Sequence, residues 1–179
     1  MKEDRTISPW VAVIAGLVAA SAVAVPLFCW FTALWGRETF WWGMGLLVQN
    51  TGTLVLVLVV SVVFHELLHA VGWVRWGKAP WRAIRFGVHW LTLSPYAHLT
   101  VPIPARPYRW GAVLPGLVLG LFPALAACIT GNGALFAYGL VMILAAGGDL
   151  VVLVLLSRVP RDWLVQDSAH RVGAVVWPR

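Results

Sequence analysis

The chain has 179 residues, of which 60% are hydrophobic and 11% charged, with a net charge of +6 and a mean hydropathy of +0.83. That balance excludes a water-soluble core, and the basic residues fall between and after apolar runs rather than along a polar stripe. The charge therefore sets membrane orientation, with no nucleic-acid partner, and residues 1–179 read as one integral membrane domain.

Residues 1–9 are short and polar, with Lys2 and Arg5 balanced by Glu3 and Asp4. The apolar run at about residues 10–35 exceeds the ~7–15-residue core of a signal peptide, although Ala20-Ser21-Ala22 offers small residues for cleavage, and it reads as a retained helix kinked near Pro26. Residues 36–50 combine Arg37 and Glu38 with Phe40, Trp41 and Trp42, which suits a loop or helix lying in the membrane interface. The second span, about residues 51–74, is long enough to cross a bilayer with some tilt.

Near the end of that span stands His65-Glu66-Leu67-Leu68-His69 inside a run of hydrocarbon side chains. On a helix the two histidines, four apart, project from one face with Glu66 beside it. This HExxH spacing lets two imidazoles bind one Zn²⁺ while the carboxylate reaches the water and not the metal. The competing reading is a buried histidine pair bonded to neighbouring helices; against it stands the cost of three ionisable groups in one membrane turn.

Residues 75–110 carry Arg75, Lys78, Arg82, Arg85, Arg106 and Arg109 and no acidic residue, so the loop is expected in the cytoplasm. Within it, residues 83–93 and 97–103 are rich in β-branched and aromatic types around a Ser94-Pro95-Tyr96 turn signal, which predicts a β-hairpin. The third span, about residues 111–130, contains Gly116 and Gly120, a small-xxx-small pair read as helix packing. Gly131-Asn132-Gly133 is an outer turn. The fourth span, about residues 134–157, is interrupted by Gly147-Gly148-Asp149, and the tail, residues 158–179, carries Arg158, Arg161, Arg171 and Arg179. The expected fold is an all-α membrane protein of four transmembrane helices, with a small β-hairpin between helices 2 and 3 and both termini cytoplasmic. Cys29 and Cys128 lie in apolar runs without ligand neighbours and read as packing residues.

A catalytic zinc needs a third protein ligand. Glu66 and Asp149 are the acidic residues inside the spans. At ~1.5 Å of rise per residue, His69 and His65 lie roughly 9 and 15 Å before Arg75 and Asp149 about 13 Å before Arg158, so their depths match. Gly147 and Gly148 are expected to let the fourth helix approach the second. Asp149 could instead serve a proton relay, and His98 is a rival ligand or a transition-state hydrogen-bond donor. His89 and His170 read as polar surface residues.

Together the HELLH motif, Pro95-Tyr96-Ala97-His98-Leu99, the Arg-Trp-Gly-Ala-Val-Leu-Pro-Gly-Leu-Val-Leu-Gly run from Arg109, Gly147-Gly148-Asp149-Leu150 and Leu164-Val165-Gln166-Asp167 resemble the small bacterial putative zincin peptidase family. Its members are similar to intramembrane metalloproteases of the site-2-protease type. The likeness covers residues 63–179 and implies that His65, His69 and Asp149 bind zinc and that Glu66 is the catalytic carboxylate. It also implies an endopeptidase of the bacterial plasma membrane that uses zinc-activated water on membrane-embedded or membrane-proximal peptide bonds. Site-2 proteases commonly have Gly after the Asp; here Leu150 follows Asp149 and the glycines precede it. A zinc-bearing adaptor without activity and a proton-coupled transporter are the other classes; the transporter is disfavoured by the lack of an internal repeat.

Overall fold

The computed structural model describes residues 2–90, 94–168 and 171–179; His170 lies outside the described residues, and of His89 and Ser94 only the backbone is described. A short strand β1 (Glu3–Ile7) leads to Ser8, whose hydroxyl accepts from the Val11 amide and caps α1 (Pro9–Gln49), with Pro9 in the first turn. Pro26 stays inside this helix. The non-helical dihedrals fall instead at Gly36 (φ 79, ψ 156), a conformation that glycine adopts without Cβ strain. Trp35 pins the chain just before that break, since its indole N–H donates to the Cys128 carbonyl at 2.9 Å. The helix that resumes after Gly36 crosses the Gly131–Gly133 turn, with Gly43 against Gly133 and Phe40 edge-on to Phe136.

α2 (Thr51–Gly77) carries the motif and ends on Lys78 in a left-handed conformation (φ 55). β2 (Ile84–His89) and β3 (Ser94–Leu99) then pair antiparallel, with Val88 opposite Pro95 and His89 opposite Ser94. Ser94-Pro95-Tyr96 is thus the start of a strand and not the turn expected from sequence. The reason lies in the ladder. The Thr100 amide donates to the Ala83 carbonyl, so even-numbered amides of β3 point to β2 and odd-numbered ones point away. Pro95, which has no N–H, sits on the outward side, where nothing is lost.

After β4 (Ile103–Pro104), α3 (Ala105–Pro115), a π-helical turn (Gly116–Leu121) and α4 (Phe122–Thr130) form one continuous run that starts six residues before the expected span. α5 (Gly133–Ala145) and α6 (Gly147–Leu155) follow, bent by 43° around Ala146. Among the described residues, three helices are long and apolar enough to cross a membrane, or four if the bent pair counts as one. Gly116 and Gly120 meet Ala146 and Ile143. Cys128 is buried, Cys29 is exposed, and both are free thiols.

The chain is not all-α. The tail folds into β5 (Leu164–Asp167) and β6 (Val172–Trp177), which join the first and fourth strands in an antiparallel sheet ordered β1-β6-β5-β4. Val165, Ala174 and Val176 are fully buried there, in a cluster with Trp73, Leu99, Tyr108 and Leu156. That burial drives tail and amino-terminal segment together. A second cluster, around Phe31, Phe40 and Phe136, packs the other helix contacts.

Candidate metal centre

Helical spacing sets His65 and His69 on the buried face of α2, with ring centroids 5.0 Å apart. The bend before α6 brings Asp149 opposite them. Its two oxygens lie 3.1 Å from His65 Nε2 and 3.2 Å from His69 Nε2, and the three residues offer ligand atoms within 4.8 Å of one another. Ligands bound to one tetrahedral zinc at ~2.0–2.1 Å stand about 3.3 Å apart, so this donor set fits the ion. No other such group occurs among the described residues.

The outer contacts suit the same ion. His69 Nδ1 lies 2.9 Å from the Gly111 carbonyl. A carbonyl only accepts, so Nδ1 carries the proton and Nε2 presents its lone pair to the site. The close approach needs glycine on both helices: a Cβ on Gly72 would stand 2.6 Å from Gly111 Cα, and one on Gly111 would strike the Trp73 indole. Trp73 stacks on His69 at 5.5 Å and on Tyr108 at 5.5 Å, and its indole N–H donates to the Tyr108 carbonyl at 3.1 Å. The ring of His69 is thereby fixed on two sides.

Gly147 works differently from the expectation. It meets α1 and not α2: a Cβ there would lie 2.6 Å from the Gly16 carbonyl oxygen, while one on Gly148 would meet nothing within 4 Å. The small residues thus let α1 close on α6 behind the carboxylate.

Glu66 stands outside the three-residue group and lines a cavity of about 820 Å³ together with it. Ala97 of β3 lines the same cavity. His98 also lines the cavity but not the group, and its Nδ1 is 3.9 Å from Asp167 Oδ2. Asp167 had no role in the sequence reading beyond its place in a family segment. In the fold it accepts the Leu99 amide at 2.6 Å and the Tyr108 hydroxyl. Burial pushes its carboxyl above the ordinary aspartate range, and the Leu99 amide and Tyr108 hydroxyl act in the opposite sense.

No curated protein and no solved structure matches the chain. A family profile described as "Putative zincin peptidase" matches residues 58–164, which include the whole HExxH motif and Asp149. The donor set and that match agree in suggesting a zinc metallopeptidase. With well over half of its length matched, this chain belongs to the putative zincin peptidase family.

Proposed function

We propose that the chain is a zinc-dependent intramembrane endopeptidase of the site-2-protease type. The observation that carries the reading is a zincin donor set within apolar helices, with a carboxylate beside it, at the wall of a cavity large enough for an extended peptide. His65, His69 and Asp149 are the ligands and Glu66 the catalytic base. Zinc, when bound, acts as a Lewis acid on the scissile carbonyl and lowers the pKa of water from about 15.7 toward ~7. Glu66 takes the proton of the attacking water and returns it to the leaving amine. His98, on the same cavity wall, is the candidate donor to the oxyanion.

A substrate helix has its carbonyls locked in hydrogen bonds and must unwind before attack. We assign β2 and β3, which reach the cavity through Arg85, Val88, Tyr96 and Ala97, to holding the unwound segment by strand addition. The reading includes four spans in a bacterial plasma membrane, with the basic loop and both termini in the cytoplasm. The pairing of β1 with β6 supports the last point, since strands of one sheet lie on one side of a bilayer. The substrate is thus a membrane protein or a membrane-proximal peptide.

The test compares membrane-protein fragments, by proteomics, in strains carrying the wild type or Glu66→Gln at matched expression. Loss of a general base costs about 10²–10⁴-fold in rate, so fragments should disappear and uncleaved substrate accumulate. Identical profiles from the two strains would leave a metal-bearing adaptor in place of a protease.

A further inference from the structure

Three groups, the Leu99 amide, the Tyr108 hydroxyl and the His98 ring, meet at one buried carboxylate that the proposed chemistry does not use. Asp167 sits on β5 with its side chain 14% exposed, and its two oxygens hold two different elements. Oδ2 accepts the Leu99 amide of β3, and Oδ1 accepts the Tyr108 hydroxyl of α3. Next to it, the Gln166 side-chain amide donates to the Thr100 carbonyl at 2.8 Å, so the tail grips the last residue of β3 and the residue that follows it.

Each element leads to the metal centre by a short path. On α3, the Tyr108 ring stacks on Trp73 and Trp73 stacks on His69, while Gly111, one turn after Tyr108, receives the His69 Nδ1 proton. On β3, the next outward amide before Leu99 is that of Ala97, and Ala97 lines the cavity together with Glu66. A displacement of α3 would therefore move the partner of a ligand, and one of β3 would move the cavity wall beside the base.

We propose that Asp167 is a positioning residue of the metal centre, which holds α3 to orient His69 and fixes β3 at the cavity wall beside Glu66, without itself being a ligand. This rests on the reading of His65, His69 and Asp149 as ligands. Asparagine is nearly isosteric with the carboxylate, but with its oxygen kept on the Leu99 N–H its amide nitrogen faces the Tyr108 hydroxyl, which must then turn its proton away and accept, so the negative charge and the Tyr108 O–H contact are both lost. Removal of contacts outside a metal's ligands typically costs 10–100-fold in affinity or activity.

The experiment uses the full chain in detergent, stripped of metal and titrated with Co²⁺, whose visible spectrum reports ligand geometry. Asp167→Asn should still take one Co²⁺ per chain, with affinity lowered about 10–100-fold and shifted visible bands. Tyr108→Phe keeps the ring stack, removes one of the two donors and should give a smaller shift. A loss of stability alone would not move the bands of the metal that remains bound. Wild-type spectra and affinity in both variants would overturn the proposal, and if Asp167→Asn fails to fold, a wild-type spectrum in Tyr108→Phe overturns it alone. Because the spectra need no substrate, they are independent of cleavage: an unaltered fragment profile in Glu66→Gln would end the protease reading and leave a shifted spectrum in Asp167→Asn standing.

Discussion

His65, Glu66 and His69 owe their mutual placement to a single helix, whereas Asp167 owes its contacts to partners 68 and 59 residues away in the chain. The first relation is present wherever α2 is helical. The second exists only when β3, α3 and β5 have all docked. Two kinds of order thus serve one cavity, one local and one global, and they should fail differently under mutation.

The largest effects belong to the local set and to the carboxylate that completes it. His65→Ala, His69→Ala and Asp149→Ala should each remove most of an expected stoichiometry of about one zinc per chain, measured by metal analysis of detergent-purified protein. His98→Ala should leave the metal in place. Zinc lost from His98→Ala and kept by Asp149→Ala would exchange their roles and break the comparison.

A smaller effect tests how Asp149 is held. In Gly147→Ala the new methyl would stand 2.6 Å from the Gly16 carbonyl oxygen, so α1 must shift. Overpacking of this kind costs about 1–3 kcal/mol, which thermal unfolding should register along with a partial loss of zinc. Gly148→Ala, with nothing within 4 Å of its Cβ, should be close to neutral and serves as the control.

The smallest effect separates the sheet from the metal. Val176 is fully buried in β6, and Val176→Ala deletes two methyl groups there, at about 2 kcal/mol for transfer and cavity together. Unfolding temperature should fall while zinc content holds. Equal zinc loss in Val176→Ala and His65→Ala would mean that the centre has no local order of its own.

What could be read from the sequence follows the same division. The 3.6-residue period and the length of the apolar runs carry α2, its histidines and the spans, because helices satisfy their own backbone within a membrane. Asp149 was reachable because it is an acidic residue in an apolar run. The terminal sheet was not, since β1 is five residues dominated by charge and β4 only two residues long; neither has a periodicity to detect. Its one local signal is the β-branched run Val172-Gly173-Ala174-Val175-Val176-Trp177, which a strand reading of the tail would have caught. The hairpin turn was misplaced because Pro95 reads as a breaker until the ladder reveals which way its nitrogen points. Asp167 appeared only as one letter in a family segment, and no spacing rule ties it to Leu99 or Tyr108.

The pairing of Glu3 with Val176 and of Ile7 with Val172 also imposes a calendar on the molecule. β1 leaves the ribosome before every span and β6 after them all, so that ladder cannot close until the spans between them have been synthesised, and β5 with Asp167 emerges only just before β6. Through most of translation α2 already presents its histidines and glutamate, yet the strand and helix that aim them have no carboxylate to rest on. A chain built in this order has its spans in place before the Asp167 contacts to β3 and α3 can form.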